Sequence, residues 1–269
     1  MYKTEAGKII VESSNLDVKA TLECGQLFRF EKTDDCYTVK SGKHICRVYT
    51  LGEYVEIRTA SVDYFINFFN LERDVNRTKR ELSRFPELKP ALESCGALRI
   101  LHQPLFETII SFIISANNNI PRIKSIINKL CALFDDAFPT PEQLAELSVR
   151  QLDAIGCGYR SQFLLTTAKM CAETDILNRL YAARTPDAAK LLMGLAGVGQ
   201  KVADCVLLFA LGRLDVFPVD TWILKTLREG SETEMQLRKR LMDRYGSYAG
   251  YAQQVVYYYN AILKEKPQL

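Results

Sequence analysis

The spacing of apolar residues changes character near residue 60. Upstream, short β-prone runs fall at residues 8–11, 27–30, 37–40, 46–49 and 54–57. Asp34-Asp35 and Ser41-Gly42 stand between them as turn signals. Closely spaced strands with short links predict an antiparallel sheet. Downstream, the period becomes helical. Val62, Phe65, Phe68 and Phe69 fall on one face; Leu105, Ile109, Phe112 and Ile113 on another; Ile123, Ile126, Ile127, Leu130 and Leu133 repeat the pattern. Further helices are predicted over 160–172, 186–193, 199–211, 221–228, 234–244 and 248–263, with Pro139-Thr140-Pro141 and Thr185-Pro186 as loop and helix-start signals. The pattern predicts an α+β protein. An N-terminal antiparallel β-rich domain with flanking helices (residues 1–85) precedes an all-α domain (residues 86–269).

Composition narrows the class. With 48% hydrophobic and 25% charged residues, the chain can build a sizeable core and is not a disordered tail. A net charge of +3 favours a polyanionic partner only weakly. The first residues hold no apolar stretch with a small-residue cleavage site, so no secretory signal is expected. No run approaches the roughly 20 apolar residues that span a bilayer. A cytoplasmic protein without membrane contact is expected. The eight cysteines form no CxxC pair or metal-ligand cadence, and the two histidines lie far apart. Free buried thiols are expected, with no metal and no cofactor.

The stretch Leu195-Ala196-Gly197-Val198-Gly199-Gln200-Lys201-Val202-Ala203-Asp204-Cys205 carries the chemistry. A helix leads in and an apolar helix leads out, giving a hairpin over about 188–211. Its two glycines allow a tight turn with unusual backbone angles. They also leave the next helix's first N–H groups bare, a site that favours an anion such as a DNA phosphate. The bland alternative is an ordinary helix-Gly-helix connection. Lys201 sharpens the choice. It falls in the first turn of that helix, beside an apolar face. A positive helix end and apolar neighbours both disfavour an ammonium charge, which is what an amine nucleophile needs at neutral pH. A phosphate contact or a solvated charge is the alternative. Cys205, four residues on, shares the face of Lys201; as a pattern it reads first as core filler. Asp220 opens the next predicted helix and is expected as its N-cap. The same carboxylate could stabilise positive charge on a sugar as an N-glycosidic bond breaks, and could help proton transfer at the amine.

From Leu195 through Asp220 the chain resembles the helix-hairpin-helix, Gly/Pro-rich loop and aspartate signature of base-excision DNA glycosylases. The lysine at 201 resembles the bifunctional members, which combine glycosylase and lyase activities and which their monofunctional relatives usually do not match at this position. No cysteine follows Cys205, so the four-cysteine iron–sulfur cluster of some members is not expected. Four further stretches, in the same order, resemble eukaryotic-type 8-oxoguanine DNA glycosylase. They are Leu22-Glu23-Cys24-Gly25-Gln26-Leu27-Phe28-Arg29, Ser115-Ala116-Asn117-Asn118-Asn119-Ile120-Pro121-Arg122, Gly156-Cys157-Gly158-Tyr159-Arg160 and Tyr248-Ala249-Gly250-Tyr251-Ala252-Gln253.

The resemblance implies a role for each. A base inside a duplex must be extruded and its place filled. Tyr159 would wedge into the stack; Asn117, Arg122 and Arg160 would bond the orphaned partner, implied to be cytosine. Cys205 and Tyr257 would sandwich the purine, Gln253 would read its Watson–Crick edge, and Pro218 would line the same site. The Gly25 carbonyl would accept the N7 hydrogen that 8-oxoguanine has and guanine lacks, a difference of about 1–3 kcal/mol for a buried acceptor left unmet. Gly197, Gly199, Gln200 and Val202 would hold the phosphate. Structural alternatives exist throughout: caps and turns for the asparagines, a plain turn for Gly25, ordinary helix positions for Gln253 and Tyr257.

Three positions depart from the family pattern. Trp222 replaces a histidine and so puts a nearby phosphate contact in question. Tyr257 replaces phenylalanine, and Cys24 precedes Gly25 where the family has serine. With no long insertions, these fit a bacterial, monomeric relative acting on double-stranded DNA containing 8-oxoguanine. The competing readings are a monofunctional glycosylase for another base, with Lys201 only binding phosphate, and a non-catalytic DNA-binding module.

Overall fold

The computed structural model describes residues 2–264. Its strands are β1 (Tyr2–Glu5), β2 (Lys8–Glu12), β3 (Phe30–Lys32), β4 (Tyr37–Ser41), β5 (His44–Leu51) and β6 (Tyr54–Arg58). Its α-helices are α1 (Val18–Glu23), α2 (Val62–Phe68), α3 (Val75–Leu82), α4 (Lys89–Ser94), α5 (Leu105–Ser115), α6 (Ile120–Ala132), α7 (Pro141–Ala145), α8 (Val149–Ala154), α9 (Arg160–Glu173), α10 (Ile176–Ala182), α11 (Thr185–Met193), α12 (Gln200–Phe209), α13 (Thr221–Leu227), α14 (Glu234–Tyr245) and α15 (Ala249–Tyr257). The α+β class is as expected, with the sheet first and helices after.

The strands form one sheet in the order β1-β2-β6-β5-β4-β3. The antiparallel register sets Ile9 against Ile57, Val11 against Val55 and Val48 against Ile57. Because successive side chains alternate faces, this register puts Ile9, Val11, Val39, Cys46, Val48, Val55 and Ile57 on one buried side. Phe65, Phe68 and Phe69 cover that side from α2 and the residue after it, with neighbouring ring centroids 5.2–6.2 Å apart.

The N-terminal region departs from the predicted pattern in three places. β1 is a strand without an apolar alternation of its own; it is half-buried to exposed and held by pairing with β2. The run at 27–30 contributes only its last residue to a strand, β3, while Leu27 and Phe28 are buried ahead of it. Ahead of that, residues 18–23 form a helix whose N-cap is Asp17, accepting from the Ala20 N–H at 2.8 Å. At the other end, the helix expected over 248–263 is α15 followed by a π-helical stretch, Tyr258–Lys264.

Two compact units emerge. One comprises residues 1–39, 45–102 and 212–269; the other comprises 40–44 and 103–211. The expected division at residue 85 follows the change in secondary structure, whereas compactness returns the C-terminal helices to the sheet-bearing unit. The contacts responsible are specific. Within that unit the Tyr251 hydroxyl donates to the Leu98 carbonyl at 2.7 Å, and Gln254 Nε2 donates to the Cys24 carbonyl at 2.6 Å. In the other unit every residue of α5 is buried, its polar Glu107, Thr108, Ser111 and Ser115 included, so that helix is central. Phe112 of α5 stacks on Phe209 of α12, with centroids 5.4 Å apart.

Candidate active site

The hairpin belongs to the second unit. α11 ends at Met193, the turn follows, and α12 starts at Gln200 with Gly199 as N-cap and no side-chain cap. The first helical bond is made by the Ala203 N–H, to the Gly199 carbonyl at 2.9 Å. The preceding N–H groups of α12, at Gln200, Lys201 and Val202, therefore lie at the helix's positive end, an anion site by geometry. Only one of the two glycines needs special backbone freedom. Gly197 has φ +81°, and a Cβ there would meet Phe163 at 2.9 Å. Gly199 has φ −93° and open space around it. Thr167 ties α9 to the turn by donating to the Ala196 carbonyl at 2.9 Å.

Lys201 stands in the first turn of α12 and is half-buried. Its Nζ lies 5.1 Å from the centroid of the Phe112 ring, an apolar wall beside the amine. Cys205 is buried on the same helix, and Gln200 Nε2 donates to the buried Asp204 carboxylate at 3.0 Å.

The same unit brings together four residues from two separate segments of sequence. Asn117 adopts φ +50° after α5, and Asn119 caps α6 by accepting from the Arg122 N–H at 3.0 Å. Arg160 is buried at 5% exposure. Its Nε and Nη2 both donate to the Ala116 carbonyl, and Nη2 also to the Asn117 carbonyl at 3.1 Å. Its guanidinium lies 4.3 Å from the centroid of Tyr159. Tyr159 is 60% exposed and packs edge-on against Phe163. Arg122, also exposed, donates from Nη2 to the Gly156 carbonyl at 3.4 Å. Arg160 thus does more than its sequence suggests: it holds the turn that presents Asn117.

The sheet-bearing unit carries the remaining residues. Asp220 is the N-cap of α13, accepting from the Ile223 N–H at 2.7 Å, so its carboxylate is fixed. Pro218 is buried just before it. Gly25 has φ +79°, and a Cβ there would come 3.3 Å from Tyr257 Cε1. Tyr257 also meets Trp222 edge to face, with centroids 5.9 Å apart and an angle of 78°. Gln253 precedes Tyr257 by four residues and shares its face of α15. It is 6% exposed, and among the described residues its Oε1 has no hydrogen-bond partner. A buried acceptor in that condition is poised for a ligand's donor.

Sequence reasoning missed the residues that hold the Gly25 turn. Gln254 is buried and bonds the Cys24 carbonyl; Gln26 Nε2 donates to the carbonyls of Thr21 at 2.8 Å and Arg99 at 2.7 Å, and Gln26 Oε1 accepts from the Leu101 N–H at 3.0 Å. Nothing in local sequence separates Gln254 from its neighbour Gln253; only the fold assigns them different work. Burial pushes the Cys24 thiol up to about 12, so it stays protonated and acts as a packing group. All eight cysteines are free, and all but Cys36 are buried.

These features match a known family across the chain. Residues 110–247 match the model of HhH-GPD superfamily base excision DNA repair proteins, and residues 8–109 that of the 8-oxoguanine DNA glycosylase N-terminal domain. The chain belongs to the HhH-GPD superfamily. Within it, the chain is 28% identical to an N-glycosylase/DNA lyase of Saccharomyces cerevisiae, over 93% of this chain and 85% of that one. A solved Clostridium acetobutylicum 8-oxoguanine glycosylase/lyase, in complex with DNA containing cytosine opposite 8-oxoguanine, is 30% identical with a TM-score of 0.88, covering 96% and 97% of the two chains. MBOgg1, solved in complex with a low-affinity DNA ligand, is 33% identical with a TM-score of 0.89, covering 96% and 97% of the two chains. More distantly, a 3-methyladenine DNA glycosylase of Archaeoglobus fulgidus shares the fold at 17% identity and a TM-score of 0.71. No helix among the described residues is long and apolar enough to cross a membrane.

Proposed function

We propose that this superfamily member is a bifunctional glycosylase and lyase that removes 8-oxoguanine opposite cytosine from duplex DNA. One observation carries the reading: a lysine, Lys201, occupies the first turn of the hairpin's second helix, beside an aromatic wall and at an uncapped N-terminus. Binding phosphate alone does not require an amine there. The match of residues 8–109 to the 8-oxoguanine DNA glycosylase N-terminal domain supports the choice of lesion.

The roles follow from chemistry. The N–H groups at Gly199, Gln200 and Val202, on the turn shaped by Gly197, hold a backbone phosphate without reading sequence. Tyr159 fills the gap left by the extruded nucleotide, and Asn117 and Arg122 face the orphaned base, with Arg160 steadying their turn. Gln253 accepts from the N1–H and N2–H donors of the guanine edge; Gly25 accepts the N7 hydrogen; Cys205 and Tyr257 stack on the purine, with Pro218 alongside. Lys201 Nζ then forms a bond to the sugar C1′ as the C1′–N9 bond breaks and the base departs with its electron pair and a proton. Asp220 stabilises the positive charge on the sugar. The sugar ring opens to a protonated imine at Lys201. Loss of a C2′ proton expels the 3′ phosphate by breaking C3′–O3′, and water finally frees the lysine.

Sodium borohydride reduces such an imine to a permanent amine. Wild-type protein incubated with an 8-oxoguanine·cytosine duplex and borohydride is expected to give a covalent protein–DNA adduct, absent in Lys201→Gln. An active wild-type enzyme that gives no adduct, or a Lys201→Gln variant trapped as well as wild type, overturns the proposal.

A further inference from the structure

We propose that Trp222 is a positioning residue for base binding: its indole holds the Tyr257 ring in place against Gly25. The inference rests on the reading above that Tyr257 stacks on the extruded purine.

Tyr257 sits where the helix changes its hydrogen-bond pattern. It is the last residue of α15, and the chain continues as a π-helical stretch rather than a further regular turn. Among the contacts of its ring, two bear on its orientation. On one side lies Gly25, whose missing side chain lets the ring approach to within 3.3 Å of the position a Cβ would take. The indole of Trp222 supplies the second, meeting the ring at 78° with centroids 5.9 Å apart. Edge-to-face contact sets the electropositive edge of one ring against the electronegative face of the other, so it favours one orientation over its neighbours. An aromatic that must stack on a flat purine benefits from having its plane set beforehand.

Trp222 is itself held. It lies in the first turn of α13, two residues after the carboxylate that caps this helix through the Ile223 N–H. One short rigid element therefore carries both the carboxylate assigned to the sugar and the support for the stacking ring. Trp222 is half-buried, so its replacement need not open a cavity in the core. It is also the single tryptophan of the chain, which makes its fluorescence a reporter of this one position.

Three measurements test the proposal together. In Lys201→Gln protein, an 8-oxoguanine duplex is expected to change tryptophan emission, whereas a duplex carrying a tetrahydrofuran abasic analogue is expected to change it much less. In single-turnover assays, Trp222→Ala is expected to slow base excision about three- to tenfold, the size of one aromatic pair, with Trp222→Phe recovering most of the rate. Cleavage of preformed abasic sites, which need no base stacking, should fall far less than excision. Tyr257→Ala is the reference. If it is slow while Trp222→Ala matches wild type, the positioning role is overturned and the stacking role stands. If Tyr257→Ala is itself unimpaired, the stacking reading fails and takes the inference with it. Equal losses of excision and abasic-site cleavage in Trp222→Ala, or no recovery by phenylalanine, would trace the effect to the Asp220 helix instead. Should Trp222→Ala not fold, the emission titration decides: equal emission changes with the 8-oxoguanine and tetrahydrofuran duplexes overturn the proposal.

Discussion

The residues assigned to the damaged base and those assigned to the opposite strand are built on opposite principles. Gln253 is buried with an acceptor that no donor among the described residues meets, and Tyr257 is pinned between Gly25 and Trp222. The opposite-strand group is the reverse. Tyr159, Asn117 and Arg122 are exposed, while the one buried member, Arg160, spends its donors on backbone carbonyls. The first arrangement stores a cost in the free protein, about 1–3 kcal/mol for a buried polar atom left unmet, which a correct ligand relieves. The second costs the free protein little, because its exposed groups are hydrated. On that assignment, binding of the guanine edge would rest on stored frustration at Gln253, and insertion into the duplex on exposed groups carried by a well-satisfied turn.

Substitutions can break this contrast in three graded ways. The largest change in stability belongs to Arg160→Ala. It strips the Ala116 and Asn117 carbonyls of a charged donor, and a loss of about 2–3 kcal/mol is expected, measured as a lower denaturant midpoint. Arg160→Lys should recover only part, since an ammonium cannot reproduce the planar fork. Gln253→Met acts in the opposite direction. Removing the unmet acceptor should leave stability unchanged or raise it by about 1 kcal/mol, while single-turnover excision of 8-oxoguanine falls roughly ten- to a hundredfold. A variant that lost stability and activity together would show that Gln253 is a core residue and not a reader of the base. Tyr159→Ala should be the mildest for folding, at under about 1 kcal/mol for an exposed ring with one cationic neighbour. Its excision rate on duplex DNA should still fall, and should recover when the lesion faces a mismatch or gap that is cheaper to open.

The candidate site was legible wherever a role depends on local geometry. Lys201 in the first turn of its helix and Asp220 as a cap follow from spacing, and the structure has them so, whereas Gln253 and Tyr257 were singled out by resemblance alone. Where a role depends on contacts between remote segments, spacing was silent. The pairing of Gly197 and Gly199 hid that only the former is required by its backbone angle and its neighbours. Arg160 looked like a free donor because nothing in its own segment announces the Ala116 turn. The partners of Gln254 and Gln26 lie in other segments of the chain, so neither drew notice.

By itself the sequence determined helices α2, α5, α6, α9 and α11 to α15, but not α3, α4, α7, α8 or α10; it also determined the hairpin with its lysine and the alternation that gives the sheet its buried side. Those depend on interactions within a few residues, where periodicity of 2.0 or 3.6 and capping chemistry dominate. Tertiary structure alone decided that β1 is a strand, that residues 18–23 turn helical inside a β-rich region, and that the C-terminal helices join the sheet-bearing unit. It also decided that a ring near the chain's end lies against a glycine near its beginning. Each of these is fixed by burial and hydrogen bonding between segments far apart in sequence, whose energies no local window contains.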